Sequence, residues 1–202
     1  MKTNYQLILE NEIKALNGRK PKLLLHSCCG PCSSYVLEYL SAFFEITVLF
    51  FNPNIYPEIE YEKRLSEQKK LIELMSFENP VSLLAVPYDY SDFLTSARGF
   101  ENEREGGTRC TECFRLRLGR CAEIAKEQNF DVFATTLSVS PHKNAALLNS
   151  IGEELAEKYG VTYLPSDFKK REGYKRSIEL SKKYDIYRQE YCGCEFSFTC
   201  GN

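Results

Sequence analysis

The feature that most narrows what this chain can fold into is an alternation. Short apolar runs recur along it, each closed by turn residues and separated from the next by a stretch of helical periodicity. The runs are Lys22 to His26, Glu45 to Phe51, Ser82 to Val86, Asp131 to Thr135 and Val161 to Leu164, and they favour Leu, Ile, Val, Phe and Thr. Strands this apolar are covered on both faces, and strands separated by helices join through right-handed crossovers into a parallel sheet. The intervening patterns predict helices over residues 3–17, from Gly30-Pro31, from Glu58 (Tyr61, Leu65 and Ile72 on one side), over 110–128 and over 145–159. The expectation is a single α/β domain over residues 1–202, a Rossmann-like doubly wound parallel sheet of about five strands. A C-terminal helical extension over residues 171–202 completes the site. With strand order 3-2-1-4-5, the switch point lies between strands one and four, where such sheets hold ligands. It would bring the loop at Cys28 against the loop from Leu137 to Asn144.

Charged residues Lys2, Glu10, Glu12 and Lys14 interrupt the N-terminal apolar residues, so neither a signal-peptide core nor a membrane span is read there. A cytoplasmic protein with no membrane partner is expected. A formal net charge of −2 gives no global nucleic-acid signature, so any RNA contact must come from local patches.

Nine cysteines in a reducing compartment are not expected to form disulfides. Seven fall in groups: Cys28, Cys29 and Cys32; Cys110 and Cys113; Cys192 and Cys194. Adjacent Cys28 and Cys29 point to opposite sides of extended backbone, which suits two metals or a cluster beside a second ion better than one ion. A structural zinc takes four ligands and would leave the other grouped cysteines unexplained. Iron and sulfide held by thiolates account for them better. Cys121 sits in a helical apolar pattern and is read as a packed core residue, and Cys200 as a bystander in the terminal segment. Two other readings stand beside this one. Cys29-Gly30-Pro31-Cys32 has the form of a thiol-disulfide oxidoreductase motif, and a zinc-stabilised RNA-binding domain would use some of the same cysteines.

His26-Ser-Cys-Cys-Gly-Pro-Cys32, Phe51-Asn-Pro-Asn-Ile-Tyr-Pro57, Arg109-Cys-Thr-Glu-Cys113, Ser138-Val-Ser-Pro-His-Lys-Asn144 and Tyr191-Cys-Gly-Cys194 occur in that order. Together they resemble the cobalamin-independent epoxyqueuosine reductase family. The resemblance implies an adenine nucleotide alpha hydrolase-like fold with cysteines where a phosphate loop would stand, and so no ATP chemistry. It also implies reduction of epoxyqueuosine to queuosine at the tRNA wobble position, using a [4Fe-4S] cluster and an adjacent mononuclear iron. On this resemblance Cys28, Cys29, Cys110, Cys113, Cys192 and Cys194 are ligands. Cys32 joins them as a metal ligand at a position where family members can carry a carboxylate. Tyr191, His26, His142 and Arg188 are the proton donors or oxyanion partners to consider. The implied partners are tRNA carrying epoxyqueuosine and a low-potential ferredoxin- or flavodoxin-like electron donor. Arg104, Arg109, Arg115, Arg117 and Arg120, with the basic stretch from Lys169 to Arg188, read equally as a phosphate track or a solvated surface. Tyr56, Phe114, Tyr187 and Tyr191 could stack a splayed base or serve as core.

Overall fold

A computed structural model of the chain describes residues 3–199. Strands β1 (Lys22–His26), β2 (Glu45–Phe50), β3 (Val81–Ala85), β4 (Val132–Thr135) and β5 (Thr162–Tyr163) form one parallel sheet in the order β3-β2-β1-β4-β5. The doubly wound topology expected from the alternation is present. Its helices are α1 (Tyr5–Ala15), α2 (Gly30–Leu40), α3 (Glu58–Leu74), α4 (Tyr90–Ala97), α5 (Thr108–Glu127), α6 (Ala145–Tyr159), α7 (Gly173–Lys183) and α8 (Phe196–Thr199). A 3-10 turn at Thr136–Val139 follows β4.

Side-chain alternation along the strands explains why both faces are covered. Leu23 and Leu25 of β1, with Ile46 and Val48 of β2, pack on Leu9 of α1 and on Val36, Leu37 and Leu40 of α2. Leu24, Leu49 and Phe133 face the other way, onto Phe114, Leu118 and Ile124 of α5 and Leu148 and Ile151 of α6. β1 is therefore central and dry, and the chain leaving its carboxyl end emerges at the mouth of the sheet. Among the described residues no helix is long and apolar enough to cross a membrane.

Two elements depart from the sequence expectation. Helix α4 was not anticipated, because its buried face consists of Phe93 and Ala97 alone, too few positions to set up a period. Its start is fixed by Asp89, whose carboxylate accepts from the Ser91 N–H at 2.9 Å. In α3 the expected helix is present, but its buried positions are Tyr61, Arg64, Gln68 and Leu71. The spacing is that of a core-facing stripe, yet half the stripe is polar. Helix α7 packs against α2 on the same side of the sheet.

Candidate metal centre

The first cysteine group is made by the turn from β1 into α2. Cys29 is the N-cap residue in extended backbone, and Pro31 lies in the first turn, where its missing N–H leaves no bond unmade. Gly30 is required by close approach: a Cβ there would lie 2.9 Å from Ile186 Cγ2 and 3.3 Å from the Glu67 carbonyl oxygen. The sulfurs of Cys28, Cys29 and Cys32 all lie within 4.8 Å of one another, so this group can hold a metal ion. A buried polar knot supports them. Ser33 Oγ donates to the Cys29 carbonyl at 2.7 Å, and Ser27 Oγ donates to Gln68 Oε1 at 2.8 Å. Gln189 Nε2 meets Cys29 Sγ at 3.0 Å.

The three thiols are not equivalent. Hydrogen bonds from Cys29 and Cys32 hold Cys28 well below the ordinary thiol range, against its burial and with help from Arg117. The bond to Cys28 pushes Cys29 up to about 12, and bonds to Cys28 and Cys29 raise Cys32. Cys28 is thus the readiest of the three to ionise, and thiols here must release their protons when metal binds.

The second group is assembled from distant segments. Cys110 and Cys113 lie in the first turns of α5, and Cys110 Sγ accepts from the Gly106 N–H at 3.2 Å. Cys113 and Cys194 are buried and pack with Phe93, Ala97 and Cys192, which is the work α4 performs. The turn Cys192-Gly193-Cys194 depends on Gly193 at φ +106°, where an L side chain is strained. It is moored from two sides: the Tyr56 N–H donates to the Gly193 carbonyl at 2.9 Å, and Arg64 donates to the carbonyls of Cys192 and Tyr191, each at 3.3 Å. The Cys194 thiol, hydrogen-bonded to Cys192, brings Cys192 down to about 5 against the effect of burial, and the Lys143 ammonium lowers it further. Burial raises Cys113 in spite of Arg117.

Cations bind the two groups into one electrostatic unit. Arg117 is buried, its guanidinium 3.8 Å from Cys113 Sγ and 2.9 Å from Asn52 Oδ1, while Asn52 Nδ2 donates to the Ser27 carbonyl at 2.8 Å. Burial would lower Arg117, but its interactions with Cys113, Cys28 and Cys192 outweigh that and the net shift is upward. Lys143 behaves alike: burial acts downward, and Cys192, Glu105 and Cys110 raise it. A surround this positive favours thiolates and whatever anionic centre they ligate.

The family model described as epoxyqueuosine reductase QueH matches residues 23–199. The chain is 42% identical to epoxyqueuosine reductase QueH of Streptococcus pyogenes serotype M1, over 97% of this chain and 78% of that protein. It is 43% identical to the protein of the same name from Staphylococcus epidermidis, over 97% and 85% respectively. For the one from Thermotoga maritima the figures are 36%, 87% and 89%. The chain belongs to the epoxyqueuosine reductase QueH family. It is therefore an oxidoreductase by family.

In this QueH-family chain the structure distributes the remaining predicted residues unevenly. His26 is fully buried, with Nε2 at 3.2 Å from the Phe51 carbonyl and Nδ1 at 3.0 Å from Thr135 Oγ1. Since a carbonyl only accepts, Nε2 carries the proton. Burial, with Arg117 nearby, pushes His26 down to about 3, so the ring is neutral. His142 is exposed, and its N–H donates to Ser140 Oγ at 3.3 Å. Arg188 turns to α7, donating to the Ser177 carbonyl at 3.3 Å and Ser181 Oγ at 3.1 Å. Tyr191 is half-buried beside Cys192, its hydroxyl donating to the Tyr56 carbonyl at 2.8 Å and its ring under the Arg64 guanidinium. Cys121 is core, as expected, and Cys200 lies outside the described residues.

The first basic run needs correction as a phosphate track. Arg109 and Arg117 are buried, Arg109 donating to the carbonyls of Phe100, Glu101 and Glu103. Arg115 is engaged by Glu154 and Glu112, and Arg120 by Glu123. In the second run Arg171 pairs with Glu10, and Arg176 with Glu38 and Glu179. Phe114 is core; Tyr56 stays exposed, and Tyr187 is partly covered with Lys63 over its ring. Sequence reading missed Arg64, Gln68, Lys143 and Gln189. For the first two the signal was present, as polar residues at core-facing positions of α3. Lys143 lay in the loop from Leu137 to Asn144 expected to face Cys28, although its own role went unread, whereas Gln189 carried no signal.

Proposed function

We propose that this chain reduces epoxyqueuosine in tRNA to queuosine, with an iron-sulfur cluster and an adjacent iron bound by Cys28, Cys29, Cys32, Cys110, Cys113, Cys192 and Cys194. The observation that carries the reading is the Cys28, Cys29 and Cys32 triad, its sulfurs within 4.8 Å of one another at the turn after β1, with the buried Arg117 guanidinium 3.8 Å from Cys113 Sγ and joined through Asn52 to the Ser27 carbonyl. The donor set suits such centres: soft sulfurs in number, one cysteine triad within 4.8 Å, and a low-lying thiolate in each half. When bound, these centres supply single electrons and a Lewis acid for the epoxide oxygen.

The rest falls to the chain's own side chains. Opening the epoxide to an alkene with loss of water takes two electrons and two protons, so a proton must be held near the departing oxygen. Of the residues considered, Tyr191 suits this best: burial and Glu60 raise its phenol, which keeps it protonated, and it adjoins Cys192 at the surface of the site. His26, by contrast, is closed to solvent and substrate. Exposed Tyr56 offers a flat face to an unstacked base. A ferredoxin- or flavodoxin-like protein would deliver the electrons.

Nothing favours thiol exchange. Cys29, the attacking residue of such a motif, is buried, and its thiol is pushed up to about 12 rather than down. The test is anaerobic purification, measurement of iron and acid-labile sulfide, and incubation with epoxyqueuosine-tRNA and a low-potential one-electron donor, without cobalamin or ATP. Loss of one oxygen atom from the modified nucleoside by mass supports the proposal. A colourless, active protein with one zinc would remove the iron reading. An iron-loaded, reducible protein that leaves the epoxide intact would remove the substrate.

A further inference from the structure

The Arg117 side chain is nearly closed to water, at 4% exposure. It forms no ion pair with a carboxylate among the described residues, and its Nε has no partner. Its two terminal nitrogens meet an amide oxygen, Asn52 Oδ1, and a sulfur, Cys113 Sγ. A buried guanidinium without an anion is strongly unfavourable. Arginine stays charged in proteins, so the anion has to be supplied. The acidic groups that face it are cysteines from three elements: Cys28 after β1, Cys113 on its own helix, and Cys192 in the C-terminal turn. His26, the other titratable group beside it, is neutral.

We infer that Arg117 is the internal counter-cation of the thiolate-held centre, a positioning residue that sets its reduction potential rather than a contact for tRNA phosphate. The inference rests on the iron-sulfur reading above. Placement supports it: Arg117 lies one helical turn beyond Cys113 on α5, so the helix that supplies two ligands also delivers the charge to the same face. Asn52, held to the Ser27 carbonyl, orients the guanidinium fork from the β1 side, so the charge sits between the two halves of the site. Adding one electron to an anionic centre deepens its negative charge, and a fixed cation in a poorly screened interior favours the reduced form. No further reactant is required, because the electron is the one the donor already delivers.

The experiment is a potentiometric titration, followed by visible absorption, of anaerobically loaded wild type, Arg117→Met and Arg117→Lys. At the wild-type midpoint, Arg117→Met should show at least about a tenfold lower ratio of reduced to oxidised cluster, a shift of about 59 mV to more negative potential for one electron. Arg117→Lys, which keeps the charge, should stay within about twofold of wild type. Iron and sulfide content, measured on the same samples, separates the two layers of the argument. Wild type without iron and sulfide would overturn the cofactor reading itself. A loaded Arg117→Met with an unchanged midpoint would overturn this inference alone, as would a tenfold shift in loaded Arg117→Lys. If Arg117→Met does not fold, Arg117→Lys decides, and failure of both to fold counts against a role that lysine should fill.

Discussion

The two halves of the proposed metal centre are built in opposite ways. The Cys28, Cys29 and Cys32 half is local: five consecutive residues at one strand-to-helix turn bring three sulfurs together, backed by the Ser27, Ser33 and Gln68 knot. The Cys110, Cys113, Cys192 and Cys194 half joins segments about eighty residues apart and depends on α3, α4 and the Asn52–Tyr56 loop to hold its C-terminal turn. A local site tolerates damage elsewhere in the fold, whereas an assembled one fails when any of its moorings fails. Ordering by sequence proximity should therefore show as independence under mutation.

Removing a ligand from either half should have the largest effect. Cys29→Ala, Cys113→Ala and Cys192→Ala are each expected to lower turnover by more than about 100-fold with loss of iron, since altering even the residues behind metal ligands costs tenfold to 100-fold. Cys121→Ala should retain iron and activity, being packed at 0% exposure against β1. Iron analysis beside the nucleoside assay checks this, and iron loss confined to Cys121→Ala would invert the grouping.

Next comes the mooring of the assembled half. Arg64 is 1% exposed and holds Glu60 at 2.7 Å as well as the Tyr191 and Cys192 carbonyls. Arg64→Leu removes the donor to both carbonyls and the cation beside Glu60, and should reduce stability by about 3 kcal/mol. Denaturant midpoints at constant slope measure it. Selective alkylation of metal-free protein should find Cys192 and Cys194 more reactive in this variant, while Cys29 stays protected. Equal gains at Cys29 would mean that the halves are not independent.

A smaller effect is expected at the turn itself. In Gly193→Ala the new Cβ would sit 2.8 Å from Ile55 Cγ1 with φ at +106°, a combination that should cost about 2 kcal/mol. The smallest is Ser33→Ala, which removes a hydrogen bond to the Cys29 carbonyl and should cost about 1 kcal/mol. Its consequences should stay within the local half. A Ser33→Ala protein that loses more stability than Arg64→Leu would reverse the comparison.

How much of this was legible beforehand follows the same division. Local features were readable: the strand, turn and helix start around Cys28, the apolar runs that become the central strands, and Cys121 as core. What was misread depended on contacts between elements. Helix α4 hides because two buried side chains make no pattern, and the arginines of α5 looked like one basic run because sequence does not distinguish a guanidinium in solvent from one turned inward. Arg115 and Arg120 lie at the surface against glutamates, while Arg109 and Arg117 are swallowed.

By itself the amino-acid sequence determined the parallel doubly wound sheet, the identity of the grouped cysteines and the family to which their motifs belong. Those properties rest on periodicity, turn chemistry and short-range spacing, which act within a few residues of one another. Only the tertiary structure decided which cations serve the site, that His26 is a neutral buried strut, and that Arg64 and the Tyr56 N–H hold the C-terminal turn. The reason is physical: the charge state and partner of a buried group depend on what excludes water from it, and that is supplied by segments arriving from elsewhere in the chain.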